Sequence, residues 1–259
     1  MDDLIGLSTR LEGTIAGLAA KWVRHVMVVR ETGSTQDFAK SVASGGPGLV
    51  VIAGRQTRGR GRLGRPWADT SHLGLALTMV VDGSVAPERL AIAAGVAACR
   101  AIEECVGPGR VGLRWPNDVV ERDAGGGPGR KLAGVLIEQE GPLAFVGIGV
   151  NVLQVSRDWP EELAPRVTSL RELGSVANRP LVAERVLVEL ERALGTDTTN
   201  LAAEWTRHDL LVGRTCAFLH DGVVYRGIVE QIEPTSEIRL RTEAGEATLP
   251  ALTTSMVQE

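Results

Sequence analysis

Gly59-Arg60-Gly61-Arg62-Leu63-Gly64-Arg65-Pro66-Trp67, with Arg58 just ahead of it, is the stretch on which the fold class turns. Glycines 59, 61 and 64 satisfy GxGxxG, the stretch follows a short apolar strand predicted over 49–54, and Asp82 lies about twenty residues on. A dinucleotide fingerprint needs a helix directly after the glycines, because the helix N-terminus carries the pyrophosphate. Here Pro66 and Trp67 follow, and then 73–81 (LGLALTMVV), an apolar run with strand character. The glycine loop therefore joins strand to strand, and the doubly wound dinucleotide fold is rejected.

Outward from that loop, strands are predicted over 26–30, 111–115, 132–139 and 144–152. Helices are predicted over 36–42, 87–105, 181–194 and 200–210, and one more over 4–23. Strict βαβ alternation is missing, which favours an α+β fold with a mixed β-sheet. The character changes near Gly213. Short runs at 215–220, 223–233, 238–242 and 246–249, separated by Asp221-Gly222 and Ala244-Gly245, predict a small β-barrel. The expected division is 1–212 and 213–259.

Composition narrows the function classes. Hydrophobic residues make up 44% and charged residues 23% of 259, which excludes disorder as the main state. A formal charge of -4 argues against a general polyanion binder while leaving room for a local basic patch. No apolar run reaches the roughly 20 residues of a bilayer span, and the acidic start MDDLIGLSTR is unlike a secretory leader. Three cysteines without a CxxC pair fit the reducing cytoplasm, and no Cys/His cluster has zinc-site spacing.

The residues with chemical promise each carry a plain alternative. Arg58, Arg60, Arg62 and Arg65 on a glycine-loosened backbone repel one another unless an anion fills the loop, which suits phosphate, with Trp67 as a flat face for a planar group. A solvated loop with a core tryptophan, or a nucleic-acid segment, reads the same letters. Asn117 and Asp118 after Arg114-Trp115-Pro116 could bind ribose or metal, or simply make a turn. Lys131 opens an apolar strand and could reach an anion, or be a strand-edge lysine. Gly134 marks close approach to the backbone. Gly147-Ile148-Gly149-Val150-Asn151-Val152 leaves room over a sheet. Ser34 and Thr35 offer hydroxyls at a helix start, where N-capping is the ordinary role. Gln56 could read a polar ring edge.

Taken together, and in this order, Glu31-Thr32-Gly33-Ser34-Thr35-Gln36, the 59–67 loop, Arg114-Trp115-Pro116-Asn117-Asp118, Lys131-Leu132-Ala133-Gly134, Gly147–Val152 and Thr168-Ser169-Leu170 resemble the biotin protein ligases, from about 26 to 249. The resemblance implies a catalytic domain similar to class II aminoacyl-tRNA synthetases and a C-terminal SH3-like barrel. It implies adenylation of biotin with ATP and Mg²⁺, then transfer to a lysine of the biotin carboxyl carrier domain of an acyl-CoA carboxylase. By position, Ser34, Thr35, Gln36 and Gln56 look like contacts to the ureido ring. Arg60, Gly61 and Arg62 look like the loop closing over biotin and phosphate, expected to be mobile without ligand. Lys131 is similar to the lysine between carboxylate and α-phosphate, beside Gly134. Arg65, Trp67, Asn117 and Asn151 look like ATP-site residues, and Asp118 like a metal or loop contact. Lipoate ligases share the fold, and the GRGR and WPND motifs favour biotin. The roughly 25 residues before the first strand are expected to be too few for the winged helix of repressor members, so DNA is not expected as a partner.

Overall fold

The computed structural model describes residues 4–43, 46–68, 72–251 and 253–257. In chain order its elements are α1 (Leu7–Gly17), β1 (His25–Val29), α2 (Thr35–Val42), β2 (Leu49–Ala53), β3 (Leu75–Asp82), α3 (Pro87–Val106), β4 (Val111–Arg114), β5 (Asp118–Arg122), β6 (Pro128–Glu140), β7 (Leu143–Val150), α4 (Arg179–Gly195) and α5 (Thr198–His208). The C-terminal part adds β8 (Thr215–His220), β9 (Val223–Glu233), β10 (Glu237–Thr242), β11 (Gly245–Pro250) and β12 (Ser255–Met256). Seven strands form one sheet in the order β1-β2-β3-β7-β6-β5-β4, with β1 and β2 parallel and the other neighbours antiparallel. The fold is α+β with a mixed sheet.

Strand alternation divides this sheet into two faces. Leu75, Leu77, Met79 and Val81 of β3, with Val146, Ile148 and Val150 of β7, join the large core built around α3. The helix carries an Ala-rich run, Ala93-Ala94-Gly95-Val96-Ala97-Ala98, whose small side chains let it lie close on the strands. On the opposite face Val51, Val80 and Phe145 form a second cluster with Ala39 of α2 and Ala43 just after it. The short helix α2 covers only one end of that face. Across the rest, Ala76, Gly149, Gly134 and Asp118 pair in one row over β3, β7, β6 and β5, and Thr78, Gly147 and Leu136 in the next. Small residues without a covering helix leave an open floor.

Three expectations change here. Strand β5 follows the Asn117-Asp118 turn and was not foreseen, and β6 begins at Pro128, so Lys131 lies inside the strand rather than opening it. Helix α1 stops at Gly17, well short of 23. The Glu191 carboxylate of α4 accepts the backbone N–H groups of Lys21, Trp22 and Val23 and turns the chain toward β1.

The closely spaced strands after Gly213 form a second, antiparallel sheet in the order β11-β10-β9-β8-β12. Asp221-Gly222, both with positive φ, make the tight turn from β8 to β9. Its buried Phe218 meets Trp115 of the larger unit edge-on, with centroids 5.9 Å apart, so the two units share one apolar core. Among the described residues no helix is long and apolar enough to cross a membrane.

Candidate active site

The open floor belongs to a cleft of ≈820 Å³. Ser34, Thr35, Gln36, Gln56, Arg60, Gly61, Arg62, Arg65, Trp67, Asn117, Asp118, Lys131, Gly134 and Asn151, spread over more than a hundred residues of chain, all line it. The floor glycines have a steric reason. A Cβ on Gly149 would stand 2.6 Å from Trp67 Cζ2, one on Gly134 2.9 Å from Lys131 Nζ, and one on Gly147 2.5 Å from Gln36 Nε2. No side chain fits between the sheet and the groups above it.

One end of the cleft is polar and closed. Ser34 caps α2, its Oγ accepting from the Gln36 N–H at 3.2 Å. Gln56 Oε1 accepts from the Thr35 N–H at 2.7 Å and from its hydroxyl at 3.0 Å, and Thr35 Oγ accepts from Thr78 Oγ at 2.8 Å. Gln36 Nε2 donates to the Leu136 carbonyl at 2.9 Å. Its Oε1 is buried with no hydrogen-bond partner among the described residues. A buried orphan acceptor costs about 1–3 kcal/mol, so this oxygen marks a place for a donor from outside. Thr78 was missed in the sequence, although a hydroxyl in the middle of LGLALTMVV is a signal.

The other end is cationic. Lys131 Nζ lies 2.6 Å from Asp118 Oδ1 and 5.4 Å from the Trp67 ring centroid, and Arg114 Nη2 donates to Asp118 Oδ2 at 2.9 Å. The Arg62 side chain makes no hydrogen bond or ion pair among the described residues, and burial pushes its guanidinium below the ordinary value, with Asp118 acting the other way. The side-chain amides of Asn117 and Asn151 brace the walls. Asn117 donates to Val135 O at 2.5 Å, and Asn151 donates to Thr168 O at 2.9 Å and Lys131 O at 3.2 Å.

A bulge aims the lysine. Val119 pairs with Ala133 and Val120 with Lys131, so Leu132 is an extra residue in β6. In a regular, unbulged strand Lys131 would share a face with the buried Ala133. With the bulge Lys131 and Gly134 face the cleft together.

Three expectations are corrected at this site. The 59–67 segment is not a loop without packed partners: it is a small hairpin, with Trp67 N–H on Gly59 O at 2.9 Å, Arg60 bridged to Pro66, and Gly61 N–H on Arg65 O at 2.7 Å. Arg60 does not point a free guanidinium at an anion, because it holds both oxygens of Asp37 and of Glu138 at 2.7–2.8 Å. Internal carboxylates answer the charge repulsion that the sequence had assigned to a ligand. Asp118 likewise carries two cations, and among the described residues no group of three or more His, Cys, Asp or Glu is placed to hold a metal. Its geometry is that of a carboxylate that positions Lys131.

The sequence model of the Biotin/lipoate A/B protein ligase family matches residues 28–152, the segment that supplies all fourteen of these cleft residues. Over 244 residues the chain is 38% identical to the biotin–[acetyl-CoA-carboxylase] ligase of Mycobacterium tuberculosis (strain ATCC 25618 / H37Rv), covering 89% of this chain and 88% of that one. The chain belongs to the biotin protein ligase family. Like other members, it is a ligase by family. It is 29% identical over 180 residues to the bifunctional ligase/repressor BirA of Bacillus subtilis (strain 168), covering 65% of this chain and 53% of that one. Its fold superposes on the biotin protein ligase of Aquifex aeolicus in complex with biotin and ATP with a TM-score of 0.78, at 27% identity, over 90% of this chain and 99% of that one.

Proposed function

We propose that this ligase activates biotin with ATP to biotinyl-5'-AMP and then transfers biotin to one lysine of the biotin carboxyl carrier domain of an acyl-CoA carboxylase. The observation that carries the reading is the polarity of a single cleft: a closed end with an orphan acceptor, a glycine floor, and a cluster of cations at the far end. A ureido N–H satisfies Gln36 Oε1, with Ser34, Thr35 and Gln56 setting the ring's orientation. The fused rings lie beside Gln36 and Trp67, which occupy the space directly above Gly147, Gly149 and Gly134, and the acid chain runs toward Lys131.

In the first step a biotin carboxylate oxygen attacks the α-phosphorus, the bond to the β-phosphate oxygen breaks, and pyrophosphate leaves. Two anions must meet, so the work of the protein is positioning and charge stabilisation. Lys131, held by Asp118 and Arg114, sits between carboxylate and α-phosphate. Arg62 and Arg65 face the phosphates, while Trp67, Asn117 and Asn151 frame the nucleotide. Mg²⁺ enters with the nucleotide as the MgATP substrate, since among the described residues no group of three or more His, Cys, Asp or Glu is placed to hold a metal. In the second step the acceptor amine attacks the acyl carbon and AMP departs, so no protein nucleophile is needed. A chain with three cysteines and no CxxC pair suits a cytoplasmic enzyme.

The test is a purified carrier domain incubated with the ligase, biotin and ATP, followed by an avidin blot. ATP-dependent labelling of one lysine is expected. Preferential transfer of lipoate under the same conditions would assign the chain to the other branch of its family.

A further inference from the structure

We propose that Arg60 is a positioning residue which, with Asp37 and Glu138, forms an ion-pair latch holding the 59–67 hairpin over the closed end of the cleft, and thereby sets how fast biotin and its adenylate leave. The inference rests on the functional reading above.

The latch joins three separate segments. Asp37 directly follows Gln36 in α2, and Glu138 lies two residues beyond Leu136, whose carbonyl holds the Gln36 amide. Both carboxylates therefore flank the closed end. Arg60 supplies Nε and Nη2 to Glu138 and Nη1 and Nη2 to Asp37. Lys40 closes the network on Glu138 at 3.1 Å and Glu140 at 3.0 Å. Arg58 is also near Asp37, so the two carboxylates that hold the guanidinium face one ammonium and one more guanidinium besides it. A guanidinium already giving four charge-assisted bonds to two carboxylates has little left for a ligand anion. The position of Arg60 matters instead through the hairpin. Backbone bonds couple residue 59 to 67 and 61 to 65, so fixing Arg60 fixes the tip that carries Arg62 and Arg65. On the other leg Trp67 rests over Gly134 and Gly149. Arg60 keeps Asp37 and Glu138 below the usual carboxylate range, so the latch is charged at neutral pH.

The test compares wild type with the Asp37→Asn/Glu138→Gln double variant, neither residue of which touches the proposed ligands. Biotin and biotinyl-adenylate should dissociate about tenfold faster or more, with KM for biotin raised in step and kcat of biotin-dependent exchange at saturation within about threefold. Wild-type dissociation should speed up with salt, and the variant's should not, because the half-buried ion pairs it lacks are the ones salt weakens. Arg60→Lys, which can hold one carboxylate, should fall between. Dissociation within about twofold of wild type, or the same salt dependence in both proteins, overturns the latch. Amide hydrogen exchange across 59–67 without ligand reads it independently of the chemistry. Faster exchange at Gly61 and Trp67 in the variant supports the latch and unchanged exchange overturns it, whereas failure of the wild type to bind biotin would overturn only the functional reading. Glu138→Gln alone serves if the double variant melts too low to assay.

Discussion

Lys131 reaches the cleft because one extra residue, Leu132, shifts the phase of β6, and it is held there by Asp118 at 2.6 Å. An ammonium between carboxylate and α-phosphate gains strength as charge builds on the phosphorus, so Lys131→Ala should lower adenylate formation by about 10²–10³, or roughly 3–4 kcal/mol. Thermal unfolding should stay near wild type. Lys131→Arg should rescue poorly, since a planar fork does not fit a point-charge site. Exchange within about tenfold of wild type in the alanine variant would return Lys131 to the plain strand lysine that the sequence also allowed. Gly149→Ala is the steric counterpart. Its Cβ would meet Trp67 at 2.6 Å, so biotin affinity should drop by about tenfold or more, as read by calorimetry, while the sheet survives. At this scale the sequence was informative about residue identity and silent about partners. Arg60, Asp37 and Glu138 are up to about a hundred positions apart, and no local pattern pairs them. A lone arginine-glycine loop looks like an anion site until its own carboxylates are seen.

Among the elements, the junction from α5 to β8 carries a titratable group of its own. Asp209 accepts the backbone N–H groups of Leu211 and Val212 through Oδ2, while Oδ1 is buried without a hydrogen-bond partner among the described residues. Burial outweighs those bonds and pushes its carboxyl up to about 6, from an ordinary 3.8. A carboxyl whose pKa is raised on folding favours the native state most when protonated, so this contribution is lost as pH rises from about 4 through about 6, at most about 3 kcal/mol. Asp209→Asn should remove that slope. Its melting temperature should gain on wild type between pH 4 and pH 7 in differential scanning calorimetry, and parallel curves would show that Asp209 does not sense pH. Element existence was largely legible from apolar periodicity, which found four of the five helices close to their bounds and most of the sheet. It missed β5 because Asn117-Asp118 reads as a turn that ends a strand, and the same turn in fact starts the next one. It overran α1 because residues 21–23 leave the helical path, their backbone N–H groups held by Glu191 from a distant helix.

At the scale of the whole molecule, the C-terminal sheet is a wall of the site as well as an appendage. Thr215, Ala217 and Met256 line the same cleft as Lys131, and Phe218 packs against Trp115 at the start of the turn that carries Asn117 and Asp118. Removing 213–259 should therefore lower the melting temperature and weaken ATP use together. A truncated chain with wild-type stability and transfer would show the two units to be independent. The expected strand-rich tail could be read from closely spaced turns, but its contact with the cleft could not, because packing between units leaves no periodic trace in sequence. The central claim is that one cleft joins a biotin-holding end to a phosphate-holding end. Exchange of radiolabelled pyrophosphate into ATP tests it most directly. The account predicts exchange that requires biotin, saturates with it, needs no carrier domain and is lost in Lys131→Ala. Exchange in the absence of biotin, or none in its presence with folded protein, would contradict it.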